Sequence, residues 1–281
     1  MRKRSGLVIS LGVVLALVVS ACGSDAKSSD STTTSGSDSA VKTVSPGVLT
    51  VGTNLPAPGF WNGNSPDSIT GGYEYAMAQD IAKELGLDGK VKVVNVSFDQ
   101  LVAGQAKGFD VAFSQVTIKP ERAEVVDFTE PYFSSDQGVL MQKGKTLTTV
   151  QEAKQLQWGV QAATTALDVL DKIKPTKEPR VYQETTQAFA ALQAGQVDAV
   201  MLDTAIVLEE ANQPDSTFEV VAQFPSGEEY GGVLPKGSAL LAKVDAAIKK
   251  LKADGTLDAL AEKWLKPEFG KDPTKVPVIK L

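Results

Sequence analysis

The sequence predicts an α/β protein of two lobes joined by two hinge-crossing segments. After residue 47, β-branched runs alternate with amphipathic stretches, the order that builds βαβ units and mainly parallel sheets with helices on their faces. The alternation falls into two series, and extended segments near 138–142 and 230–234 connect them as the expected crossovers. With 281 residues, 42% of them hydrophobic, the chain is long enough to bury a core in each lobe.

The first element is an N-terminal leader. Arg2, Lys3 and Arg4 form a cationic start, and residues 7–19 are apolar except for Ser10 and Gly12. Roughly 13 residues fall short of the ~20 that cross a bilayer, so the run reads as the core of a signal peptide, 1–21. It ends in Val19-Ser20-Ala21-Cys22, which resembles the lipobox of bacterial lipoproteins and implies cleavage before Cys22 and lipid on its thiol. The alternative is an incidental thiol at the end of a simple secretory signal. Cys22 is the sole cysteine, so disulfides and zinc–thiolate sites do not compete for it. Residues 22–47, rich in Ser, Thr, Asp and Gly, read as a flexible tether.

Folded structure is expected from Val48, where Val48-Leu49-Thr50-Val51-Gly52 is a strand closed by glycine. A helix over 75–85 follows, then a strand at 91–96. Ser97-Phe98-Asp99-Gln100 has the pattern of a capping box opening a helix through Ala106. A strand at 110–114 ends the first series. In the second, strands are expected at 158–160, 180–182, 199–202 and 218–221, with helices over 165–172, 185–193 and 204–211. A long helix over 239–253 carries Leu241, Val244, Ile248 and Leu251 on one face, and a shorter one spans 256–264.

Residues 97–133 read SFDQLVAGQAKGFDVAFSQVTIKPERAEVVDFTEPYF. This stretch resembles the signature region of the polar amino-acid solute-binding proteins of ABC transporters. Further similarity lies in Gly72-Tyr73-Glu74, in Gly159-Val160-Gln161 followed by Thr164-Thr165, in residues 191–200, and in Lys252-Ala253-Asp254-Gly255-Thr256 before Trp264. Together these cover most of 48–266. The resemblance implies a periplasmic-binding-protein-like fold of type II, with 48–138 and 234–281 as lobe one and 139–233 as lobe two. It also implies a monomer on the outer face of the bacterial cell membrane, partnered by a permease and using no cofactor or metal.

The resemblance also implies site residues. Arg122 closes the T-I-x-P-E-R motif, where the family grips the ligand carboxylate; a guanidinium donates two parallel bonds that Lys does not reproduce. Thr117 matches the motif's hydroxyl, Gln115 a carbonyl that meets the ammonium, and Thr165 an amide at a helix N-terminus facing the carboxylate. Asp203 matches the acid that pairs with the ammonium. Phe98 matches an aromatic wall, and Phe60 or Trp61 stands near a ring the family places after the first strand. Each residue also has an ordinary reading: a solvated pair of Arg122 with Glu121 or Asp127, helix caps at Thr117, Thr165 and Asp203, a core role for Phe98. The chain departs from the family at Lys119, usually Thr or Ser, and at Ala163, usually Gly. The side chain a ligand carries is not written in these motifs.

Composition narrows the function. Without histidine there is no Ser-His-Asp or Cys-His mechanism and no imidazole metal site. No P-loop pattern occurs, so ATP is hydrolysed on another chain. Removing the three basic residues of the leader leaves 25 basic against 34 acidic residues, and no basic tract follows residue 4, which argues against nucleic acid. Some relatives of this fold are exported dehydratases of cyclohexadienyl acids that use a carboxylate for proton transfer, and Glu74 or Glu184 is the candidate for that chemistry here. A sensory lipoprotein that feeds no transporter is the third reading.

Overall fold

The structure is a computed structural model and describes residues 41–281. Cys22, the apolar leader and residues 23–40 of the expected tether lie outside the described residues. Contacts with the folded body begin ahead of Val48: the Val44 amide donates to Asp110 Oδ1 at 2.7 Å, and Ser45 bridges Val48.

In chain order the elements are β1 (Leu49–Thr53), α1 (Tyr73–Glu84), β2 (Val91–Asn95), α2 (Phe98–Val102), β3 (Val111–Ala112), α3 (Pro120–Ala123), β4 (Val126–Gln142) and α4 (Val150–Ala153). They continue with β5 (Trp158–Gln161), α5 (Ala166–Ile173), β6 (Arg180–Tyr182), α6 (Thr185–Gln193), β7 (Ala199–Asp203), α7 (Thr204–Asn212) and β8 (Phe218–Pro235). Three helices close the fold, α8 (Leu241–Ala253), α9 (Thr256–Trp264) and α10 (Lys266–Phe269).

All eight strands join one ladder in the order β2-β1-β3-β8-β4-β7-β5-β6, where the sequence predicts two separate sheets. Parallel pairing is confined to the ends: β1 lies parallel to β2 and β3, and β5 parallel to β6 and β7. The middle is an antiparallel ribbon of β4 and β8, which runs from Val126 opposite Pro235 to Gln142 opposite Phe218. The two halves therefore share this ribbon, and its register breaks around Pro131, Phe133 and Gln137. A proline lacks the N–H a ladder needs, so Pro131 and Pro225 weaken pairing where the chain passes between halves.

This moves the crossovers from their expected places. Gly138–Leu140 already pair with β7 inside the second half, and Val233 with β3 inside the first, so the crossing stretches are about 131–136 and 225–231. An aromatic cluster pins this region: the Phe60 ring meets Phe133 edge-on at 5.7 Å, and Phe133 stacks on Tyr230 at 5.5 Å.

α2 ends at Val102, not at 106, because Gly104 takes φ 68° and passes so close to Val125 that a Cβ would stand 2.8 Å from its carbonyl oxygen. The capping box read at Ser97 does not form. Its hydroxyl donates to Asp99 Oδ1 at 2.7 Å instead. One core cluster packs α5 on β5 and β7 through Trp158, Val160, Leu170, Ile173 and Met201. A second packs α2 on β3 through Phe98, Leu101, Val102, Phe109 and Ala112. No helix among the described residues is long and apolar enough to cross a membrane.

Candidate ligand-binding site

The two halves enclose a cavity lined by residues from both of them. Arg122, Thr117, Gln115 and Phe98 line it from the first half, together with Phe60 and Asn54 from the loop after β1. Thr164, Thr165, Gln161, Leu202, Asp203 and the cavity face of α7 line it from the second. Trp61 is a correction to the expected aromatic wall: it is fully buried behind the cavity and does not line it, and its Nε1 donates to Glu74 Oε2 at 2.6 Å. The adjacent Phe60 does reach the lining. Two neighbours in a loop point apart, and only the packing decides which one faces inward.

Arg122 sits on α3, whose start is set by Pro120 in the first turn, where a missing N–H costs nothing. It is 8% exposed and forms no ion pair with Glu121 or Asp127; Asp127 pairs with Lys236 instead, at 3.1 Å. Nη1 donates to the Thr117 carbonyl at 2.7 Å and Nη2 crosses to the Ala163 carbonyl at 2.8 Å, while the guanidinium lies 5.6 Å over the Phe98 ring. Burial pulls its pKa down, and Asp203 and Glu228 are the strongest charges holding it up. Asp203 ends β7 and stands at the N-cap of α7 without making a side-chain cap. Burial, then repulsion from Glu228, push its pKa up to about 8.

The hydroxyls of Thr117 and Thr165 do not cap helices. Both donate to one oxygen of Glu228, at 2.6 and 2.7 Å, so a single buried carboxylate on β8 ties the two halves. Gln137 on β4 completes the network, its Nε2 reaching Glu228 Oε1 at 3.2 Å, Thr165 Oγ1 at 3.2 Å and Asp203 Oδ1. Further contacts cross between the halves: Lys119 to Asp168 at 2.5 Å, and Asn54 to Glu184 at 3.1 Å. Both departures from the family pattern, Lys119 and Ala163, therefore lie at contacts between the halves. Ala163 takes φ 61°, which explains why glycine is the usual residue there.

Glu74 is fully buried and absent from the lining. It accepts bonds from Trp61, from Tyr132 and from the Gln115 amide at 3.0 Å, and so holds Gln115 at φ 50° on the cavity wall. Glu184 likewise does not line the cavity. Neither carboxylate offered for proton transfer is placed to meet a ligand there. Sequence reasoning missed Gln137, Glu228, Glu209 and Glu210. The last two were within reach, because Glu209 and Glu210 stand at i+3 and i+4 from Ile206, which is itself i+3 from Asp203, on one helix face; Glu228 follows a turn in an extended segment and carries no periodic signal.

Two α/β halves on a shared two-strand ribbon, closed over a cavity that both line, define a type II periplasmic-binding-protein-like fold. Residues 49–267 match the bacterial extracellular solute-binding proteins, family 3, and the chain belongs to that family. It is 33% identical over 233 residues to the L-cystine-binding protein TcyJ of Escherichia coli, covering 82% of this chain and 85% of that one. It is 30% identical over 270 residues to the ABC transporter glutamine-binding protein GlnH of Bacillus subtilis, covering 93% and 96%. Among solved structures, an ancestral arginine-binding protein bound to glutamine is similar with a TM-score of 0.70 at 33% identity, over 78% of this chain and 98% of that one.

Proposed function

We propose that this protein captures a free α-amino acid between its two lobes outside the cell and hands it to the permease of an ABC transporter. The observation that carries the reading is the placement of Arg122 and Asp203 on opposite halves of one enclosed cavity. A zwitterion needs a cation and an anion at its two ends, and both charges gain strength away from water. Lobe one runs from 48 to the crossing near 131–136 and resumes after the crossing near 225–231, and lobe two lies between them. Arg122 takes the carboxylate with the N–H groups that Thr117 and Ala163 leave free, helped by the first turn of α5 at Thr165. Asp203 and the Gln115 carbonyl take the ammonium, and Phe98 and Phe60 wall the side chain. The ligand favours the closed form because only there do both lobes touch it. The lipobox-like Val19-Ser20-Ala21-Cys22 supports a lipid tether that keeps the monomer beside its permease.

The test is a thermal-shift screen of the mature chain against the common amino acids, followed by calorimetry on Arg122→Ala. Binding to the native state alone raises the melting point. Losing a buried charged partner costs about 2–5 kcal/mol, so the variant should bind roughly thirty- to several-thousand-fold more weakly. An affinity unchanged in Arg122→Ala would sink the reading.

A further inference from the structure

The cavity presents more carboxyl groups than a simple zwitterion needs. Arg122 is the one Lys or Arg on its lining among the described residues, against three carboxylates, Asp203, Glu209 and Glu210. α7 sets their spacing. Glu209 and Glu210 lie six and seven residues beyond Asp203, which at 1.5 Å per residue is about 9–10.5 Å along the helix axis. Glu209 is 5% exposed, and one of its oxygens accepts a bond from Gln213. Neither glutamate has an ion-pair partner among the described residues. A carboxyl held away from water takes up a proton unless a cation meets it, so a buried and a half-buried glutamate in succession on the lining fit a positive occupant, against whose charge both would gain by ionising. A metal ion is a poor candidate, because no three acidic groups among the described residues converge to hold one.

We propose that Glu209 and Glu210 form a second-cation subsite, and that the ligand is a dibasic α-amino acid such as lysine, ornithine or arginine. The inference rests on the reading of the cavity as an amino-acid site. With the α-carboxylate on Arg122 and the α-ammonium at Asp203, the side chain runs along α7 toward the glutamates. In extended lysine the two nitrogens stand roughly 6–7 Å apart with bonds near 1.5 Å, and hydrogen bonds of ~2.8 Å close the remaining distance. Cystine brings a second ammonium but also a second carboxylate, which would face these glutamates with no second Lys or Arg on the lining to receive it. The chain's similarity to a cystine-binding protein therefore does not carry that protein's ligand with it.

Calorimetry on the mature chain with arginine, citrulline, lysine, norleucine and cystine tests this. Arginine should bind about 100-fold or more tighter than citrulline, its neutral isostere, and lysine likewise against norleucine. Glu209→Gln/Glu210→Gln should collapse those ratios, and Glu210→Gln alone, at a half-buried position, gives a variant whose folding is not at issue. Neutral isosteres bound as tightly as the cations, or cystine bound tightest, would overturn the subsite while leaving the amino-acid reading intact. Binding of no amino acid at all would overturn both.

Discussion

Asp203 is the residue where geometry and titration meet. Its carboxyl titrates at about 8 in the fold, against about 3.9 in an unfolded chain. Between those values the folded state holds more protons than the unfolded one, so stability falls as pH rises. The ligand-free protein should therefore melt at progressively lower temperature from pH 5 to pH 8.5. Glu209, pushed up to about 8 by burial and by Glu210 and Glu268, acts in the same direction. Asp203→Asn should make the decline shallower and raise the melting point at pH 8.5 while abolishing amino-acid binding. Scanning calorimetry across that range checks both effects, and a variant whose profile overlays the parent's would refute the account. Glu74 is a contrasting buried acid: burial raises its pKa too, yet four donors oppose the rise, and its work is to hold Gln115 in place.

At the scale of elements, the contacts between the halves differ in worth. The Lys119–Asp168 pair joins α3's N-cap to α5, but its side chains are 28% and 49% exposed. Pairs of that kind contribute ~0–1 kcal/mol, so Lys119→Thr should change affinity less than about fivefold. Glu228 on β8 is 8% exposed and accepts from Thr117 and Thr165 on opposite sides. Hydrogen bonds to a buried charge are worth about 1.5–3 kcal/mol each. Glu228→Ala should thus depopulate the closed form and weaken binding by about tenfold or more, since apparent affinity scales with the competent fraction. Small-angle scattering with saturating ligand should give an unchanged radius, because the ligand restores closure. A Glu228→Ala effect no larger than that of Lys119→Thr would remove Glu228 from this role.

For the whole molecule, the N-terminal motif and the folded body make separable demands. If lipid on Cys22 is the tether, Cys22→Ser should move the protein from the membrane fraction to the soluble one without changing its affinity for amino acid. Fractionation and calorimetry on the same preparation check this, and a Cys22→Ser protein still held at the membrane would count against the tether.

Much of this architecture was legible because local chemistry writes it locally. Alternating apolar runs place the strands, and Pro120 starts the turn that carries Arg122. The four-residue α3 and α4 were too short to leave a period, and Gly104 shortened α2 through a close approach to Val125 that no local pattern announces. The ribbon of β4 and β8 was underestimated for a similar reason. Its residues pair across about ninety positions of chain, and register between such distant strands is set by packing.

From residue order alone, then, came the α/β class, the two series of elements, the family, and the types of charge available to meet a ligand. The folded arrangement chose which of Phe60 and Trp61 faces inward, sent two threonine hydroxyls to Glu228, and turned Glu209 and Glu210 toward the cavity. Periodicity records which face of an element is apolar. It does not record which distant element that face will meet, and the charge balance of a cavity belongs to that meeting.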